Sequence, residues 1–265
     1  MKRLLIILDG SANDRDSLAG AARICRHADA ALTVAVARLV PRTIGLFGGL
    51  IDSASSQGSA EDITLAARAA FDEICGHQPN AEFVAYQAEA PEIIQAIGHA
   101  FDLTIVERIS RTDGPEVTAL SAALFETGRP ALVAPPGRLE RFGHRIAATW
   151  NGTQQATRAI GSAMALLTRA EEVVLLLGSD MDPGPPLPMA DYLRVHGARV
   201  SVKPYNSHQL TARGRGRALL AAAREAGADL LVTGAYGDGD GGFGSLGRAT
   251  QKVVSGAEFP VLLQS

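Results

Sequence analysis

Residues 228–265 read ADLLVTGAYGDGDGGFGSLGRATQKVVSGAEFPVLLQS, and the order of residue types in that stretch decides the fold. An apolar run, Leu230–Val232, empties into Gly234 and Gly237. A loop of nearly pure Gly and Asp follows, Gly247 opens a helical pattern, and Pro260–Leu263 closes as a second apolar strand. Strand, glycine loop and helix start together present backbone N–H groups to an anion. The spacing is G-x-x-G, nine residues, then G. It is neither the G-x-G-x-x-G of dinucleotide folds nor the G-x-x-x-x-G-K-[ST] of P-loops.

Working outward, the same landmarks occur twice. Residues 3–8 (RLLIIL) run into Asp9-Gly10-Ser11 and an Ala-rich helical pattern over Asp14–Cys25, while 145–150 (RIAATW) run into Asn151-Gly152-Thr153 and a second over Ala156–Leu167. Ala31–Ala37 matches Val173–Leu177, FDLTIVERI (101–109) matches ADLLVTGAY (228–236), and RPALVAPP (129–136) matches FPVLLQ (259–264). Four pairs in one order mark a tandem duplication. Each copy reads β-α-β-α-β-α-β-α-β, which predicts two tandem doubly wound, Rossmann-like (HUP-type) α/β domains. Each has a five-stranded parallel sheet with helices on both faces. The boundary is set at Pro135-Pro136-Gly137, giving domains 1–137 and 138–265. The interval from Asp9 to Asp102 is 15 residues longer than that from Asn151 to Asp229, and the excess fits a Gly/Ser-rich insertion or flap at 41–60. It leads into a helix over Ala60–Ile74.

Composition narrows the class. An apolar content of 46% over 265 residues can fill two cores, and a net charge of −3 gives no footing for nucleic acid. The apolar run after Met1-Lys2-Arg3 stops at Asp9, too short for a leader or a membrane span, so a soluble cytoplasmic protein without a membrane partner is expected. Cys25 and Cys75 lack Cys-x-x-Cys spacing and read as structural thiols, and no two of the six histidines sit at zinc spacing.

With DLLVTGAYG before it and FPVLLQ after it, the glycine spacing resembles that of the universal stress protein family. The likeness runs over the whole chain, once per copy, in the tandem two-domain manner. The family follows its last glycine with Ser or Thr, where this chain has Arg248, Ala249 and Thr250. It usually has Asp where this chain has Asn151. The resemblance implies an adenine nucleotide, ATP or AMP, bound by the second copy in a regulatory or stress-response role. The backbone near Leu177 would hold adenine, Thr233 and Gly234 would face the ribose, and Asn151 would lie beneath the nucleotide. Gly237, Gly247, Arg248, Ala249 and Thr250 would follow the phosphates. The acids Asp238 and Asp240 in the loop call for Mg²⁺ as a bridge to phosphate. The resemblance also implies that the edge strands Pro130–Ala134 and Pro260–Gln264 pair the two copies as an intramolecular pseudo-dimer, with a homodimer of chains open; no protein partner can be named.

Other candidates have blander readings. Arg213, Arg215 and Arg217 stand at i, i+2, i+4 and share no helical face, which suits a solvated helix start. His208 is a lone loop histidine, and Trp150 suits packing at the domain junction better than cofactor stacking. In the first copy, Asp9, Ser11 and Asn13 read as turn and cap residues. Glu107-Arg108 fills the place that Gly234 leaves open in the second. No nucleophile–base–orienter set is present, so slow ATP hydrolysis is the most that enzyme chemistry would amount to. The rival to nucleotide binding is an interaction protein with a relic glycine loop and an apolar ligand under the 41–60 flap.

Overall fold

A computed structural model describes residues 1–37, 42–44, 50–52, 55–108, 115–135, 141–179, 188–208, 210–235 and 246–265. The first half runs β1 (Arg3–Leu8), α1 (Asp14–Ala28), β2 (Ala31–Ala37), β3 (Arg42–Ile44), β4 (Leu50–Asp52), α2 (Ser55–Cys75), β5 (Ala81–Tyr86), α3 (Ala90–Ile97), β6 (Leu103–Glu107), α4 (Pro115–Phe125) and β7 (Ala131–Ala134). The second runs β8 (Arg145–Trp150), α5 (Gln154–Leu167), β9 (Glu172–Gly178), α6 (Pro188–Val195), β10 (Val200–Tyr205), α7 (Ala212–Glu225), β11 (Leu230–Gly234), α8 (Arg248–Gly256) and β12 (Val261–Gln264). The ten strands expected from sequence all form. The insertion holds an antiparallel pair, β3–β4, and α2 begins at Ser55, earlier than the sequence pattern suggests. The expected domain boundary at 137/138 lies outside the described residues.

Ten strands make one sheet in the order β10-β9-β8-β11-β12-β7-β6-β1-β2-β5. Every pairing is parallel except one: β12 meets β7 antiparallel, Val261 opposite Val133 and Leu262 opposite Leu132. These are the two edge strands that the sequence reading pairs. Each half, left alone, would expose such an edge; joined, both strands are buried along their whole length. Alternation sorts the side chains. Leu132 and Leu262 join the core beneath α1, α2, α5 and α6, whereas Val133, Val261 and Leu263 face α4, α7 and α8. The seam is also stitched by polar contacts. Ser265 Oγ donates to the Leu124 carbonyl at 2.7 Å, and the Arg169 guanidinium donates to the Ala28 carbonyl at 3.3 Å.

The duplication extends to single hydrogen bonds. The Asp102 carboxylate accepts the N–H groups of Lys2 and Arg3, and the Asp229 carboxylate accepts those of His144 and Arg145. Each acid thereby ties the start of its fourth main strand to the start of its first. Cys25 and Cys75 are free and buried in the α1–α2 core, and burial pushes the Cys25 thiol up to about 12. At that value the thiolate needed for redox chemistry is absent near neutral pH.

Candidate functional site

In the second half the connections diverge at the C-terminal ends of β8 and β11, neighbours in the sheet whose following helices cover opposite faces. Such a switch point is where open α/β sheets place ligands. A cleft of about 140 Å³ lies there. Strand ends supply Thr149, Trp150, Asn151, Thr233 and Gly234. The first turns of α7 and α8 supply Arg215, Gly216, Ala249 and Thr250. Tyr205, the last residue of β10, adds an aromatic wall. Gly178 lies under the turn that follows: a Cβ there would lie 2.6 Å from Ser207 Oγ, so the chain leaving β10 passes close over the end of β9. Ser179 fixes the corner, its Oγ accepting the N–H groups of Ser207 and His208.

The sequence-derived residues fall into three groups. Asn151, Thr233, Gly234, Ala249 and Thr250 line the cleft. Leu177 and Arg248 are not among its lining residues: the Leu177 side chain is 3% exposed in the core, where a residue expected to act through its backbone can sit, and Arg248 begins α8 exposed. Gly247 is the buried N-cap of α8, which has no side-chain cap bond, and Gly237, Asp238 and Asp240 lie outside the described residues. Asn151 has a structural duty. Its Oδ1 accepts from the Thr153 N–H and hydroxyl, as Asp9 Oδ1 accepts from the Ser11 N–H in the first half. Thr153 in turn caps α5, accepting from the Ala156 N–H at 3.3 Å. Tyr205, Arg215 and Trp150 are among the lining residues that sequence reasoning leaves out of the site. Arg215 is separable from its neighbours only by helix phase: with Gly216 and Leu219 it forms one stripe of α7 that faces the cleft, while Arg213 and Arg217 do not line it.

The matching place in the first half is smaller, about 40 Å³, and acidic. Glu107 stands where β11 has Gly234, and Asp9 and Glu116 join it in the lining. Glu107 Oε1 accepts from both Ser11 and Ser17 hydroxyls, at 3.1 and 2.8 Å. The Asp14 carboxyl accepts the Gly10 N–H at 2.9 Å, yet burial, aided by the Asp9 charge, pushes it up to about 6. A carboxyl raised in the folded state favours folding fully below its unfolded value of 3.8 and loses that contribution as pH climbs through 6. The loss amounts to roughly 2–3 kcal/mol. Asp14→Asn is therefore expected to be the more stable protein at pH 8 and to match the parent at pH 3.5. Urea unfolding across that range checks this, and a pH-independent difference would refute it.

Among the described residues no group of three or more His, Cys, Asp and Glu is placed to hold a metal, and no helix is long and apolar enough to cross a membrane. The class that sheet order and switch-point cleft define is a tandem doubly wound α/β protein. Solved structures narrow it to the universal stress protein fold. A universal stress protein from Archaeoglobus fulgidus is similar over 99% of this chain and 96% of its own, at TM-score 0.75 and 15% identity. A Pseudomonas aeruginosa protein described as a universal stress protein is similar over 100% and 93%, at TM-score 0.58 and 14% identity. The cytoplasmic domain of a prokaryotic cation chloride cotransporter is similar over 99% and 94%, at TM-score 0.52 and 9% identity. No protein-family model and no curated protein matches the chain. At these identities the likeness is one of fold, and a fold selects no ligand by itself.

Proposed function

We propose that the chain is a cytoplasmic regulatory protein of the universal stress type that binds an adenine nucleotide, ATP or AMP, through its second half. The observation that supports this most is the cleft between the ends of β8 and β11, which gathers Thr233, Gly234 and the first turn of α8 at one sheet edge. Neutral hydroxyls and a helix start there suit a ribose phosphate. The first half is read as a support, because its acidic cleft repels phosphate. Mg²⁺ would join the nucleotide through Asp238 and Asp240.

Isothermal titration of ATP and AMP, with and without Mg²⁺, tests the reading. Saturable binding of one nucleotide per chain is expected. Ala249 is half-exposed and lines the cleft, so Ala249→Phe is expected to weaken binding about tenfold or more while the fold persists, because its ring fills the ligand's space. Silence with every nucleotide, in a protein shown folded by circular dichroism, would discard this reading in favour of a protein or apolar partner at the 41–60 insertion.

A further inference from the structure

We propose that the second-half cleft is built for a single phosphate, with Arg215 as its counter-charge and Tyr205 as the wall for its ring, so that its preferred ligand is a nucleoside monophosphate. This rests on the nucleotide reading above and sharpens it. Arg215 is the one charged group among the described lining residues. Its Nη1 donates to the Leu210 carbonyl at 3.0 Å, which engages one of five N–H donors and anchors the group beside the cleft. Arginine's planar fork meets two oxygens of one phosphate at a time. A phosphomonoester carries about −1.5 to −2 near neutral pH, which a single guanidinium and a helix start can offset. Further phosphates add charge, and no other Lys or Arg stands among the described lining residues to receive it. The sequence between Ala235 and Leu246 contains Asp238 and Asp240 and no Lys or Arg, and Arg248, the residue that the resemblance sets at the phosphates, is exposed and outside the cleft lining.

The ring end follows from a second lining residue. The Leu177 side chain is buried in the core, and Tyr205, at the end of β10 beside Gly178, supplies an aromatic side chain to the cleft lining. A tyrosine face accepts a flat base at low entropic cost. Counting from the helix N-caps Glu89 and Thr211, Arg215 and Gly216 stand where α3 has Ile93 and Ile94. The first half thus carries apolar bulk where the second carries the cation, and its cleft is lined by three acids.

The test is a titration of AMP, ATP and adenosine into the full chain, without and with Mg²⁺, for the parent and for Arg215→Gln, Tyr205→Leu, Arg248→Gln and Arg217→Gln. Arg215 is exposed, so its loss leaves the fold intact, which circular dichroism verifies. AMP is expected to bind about tenfold tighter than ATP without Mg²⁺. Arg215→Gln should weaken AMP about tenfold and adenosine less than about twofold, whereas Tyr205→Leu should weaken both, and Arg217→Gln neither. ATP binding at least as tightly as AMP would overturn the proposal while leaving nucleotide binding standing. So would loss of AMP through Arg248→Gln with Arg215→Gln unaffected. Absence of all nucleotide binding would overturn both readings together.

Discussion

Replacing Gly234 by valine is expected to lower the stability of the protein by about 3 kcal/mol, before any ligand is considered. The reason is a backbone approach. A Cβ at this position would lie 2.8 Å from Gln155 Cβ, 2.9 Å from the Ala156 nitrogen and 2.9 Å from the Gln155 carbonyl carbon. Those atoms belong to the first turn of α5, whose geometry is held by the Thr153 cap and, behind it, the Asn151 turn. None of them is the far end of a flexible side chain, so β11 and α5 must separate. Gly161, also in α5, is the control: a Cβ there meets nothing within 4 Å, and Gly161→Ala should stabilise by about 0.5–1 kcal/mol through helix propensity. Urea midpoints of the two variants against the parent give the answer. A Gly234→Val protein within about 0.5 kcal/mol of the parent would show that the strand end yields freely, and that the glycine is kept for a ligand alone.

This glycine illustrates what sequence can and cannot resolve. The landmarks that repeat were legible because each is a local pattern: apolar strands, capped turns, and the two aspartates, Asp102 and Asp229, at equivalent strand starts. The pairing of β7 with β12 was expected from the family resemblance, and the two short apolar strands at the ends of their repeats fit it. The site was half legible. Asn151, Thr233, Gly234, Ala249 and Thr250 lie on the segments whose spacing announced them. The Leu177 side chain goes to the core with Leu175 by strand register, and the expectation for it concerns its backbone. Tyr205 was missed because it ends β10 just past Pro204, and because its place in the lining depends on how the end of β10 packs against α7 and β9. Both are tertiary facts. Arg215 differs from Arg213 and Arg217 only in helical phase, which a few residues of polar helix start do not define.

At the seam between the halves, Leu132→Ala or Leu262→Ala is expected to cost about 2–5 kcal/mol. The two leucines face each other across the antiparallel pairing and each is wholly shielded from solvent, so truncation leaves a cavity beneath both α-helical layers of that face. A charge at the same place should do more than destabilise. Leu132→Asp would bury a carboxylate without a partner, and the cheapest escape is to part β7 from β12 and let each half stand on its own edge. Trp150, the chain's one tryptophan, sits at the end of β8 and reports on the second half alone, whereas far-ultraviolet circular dichroism reports on both. The parent, with a continuous core from α1 to α6, should show coincident urea transitions by the two signals. Leu132→Asp should separate them, because unfolding of one half no longer strips the other of its neighbour. Coincident curves in that variant, displaced by less than about 1 kcal/mol, would mean that the seam contributes little and that the shared helical layers couple the halves instead.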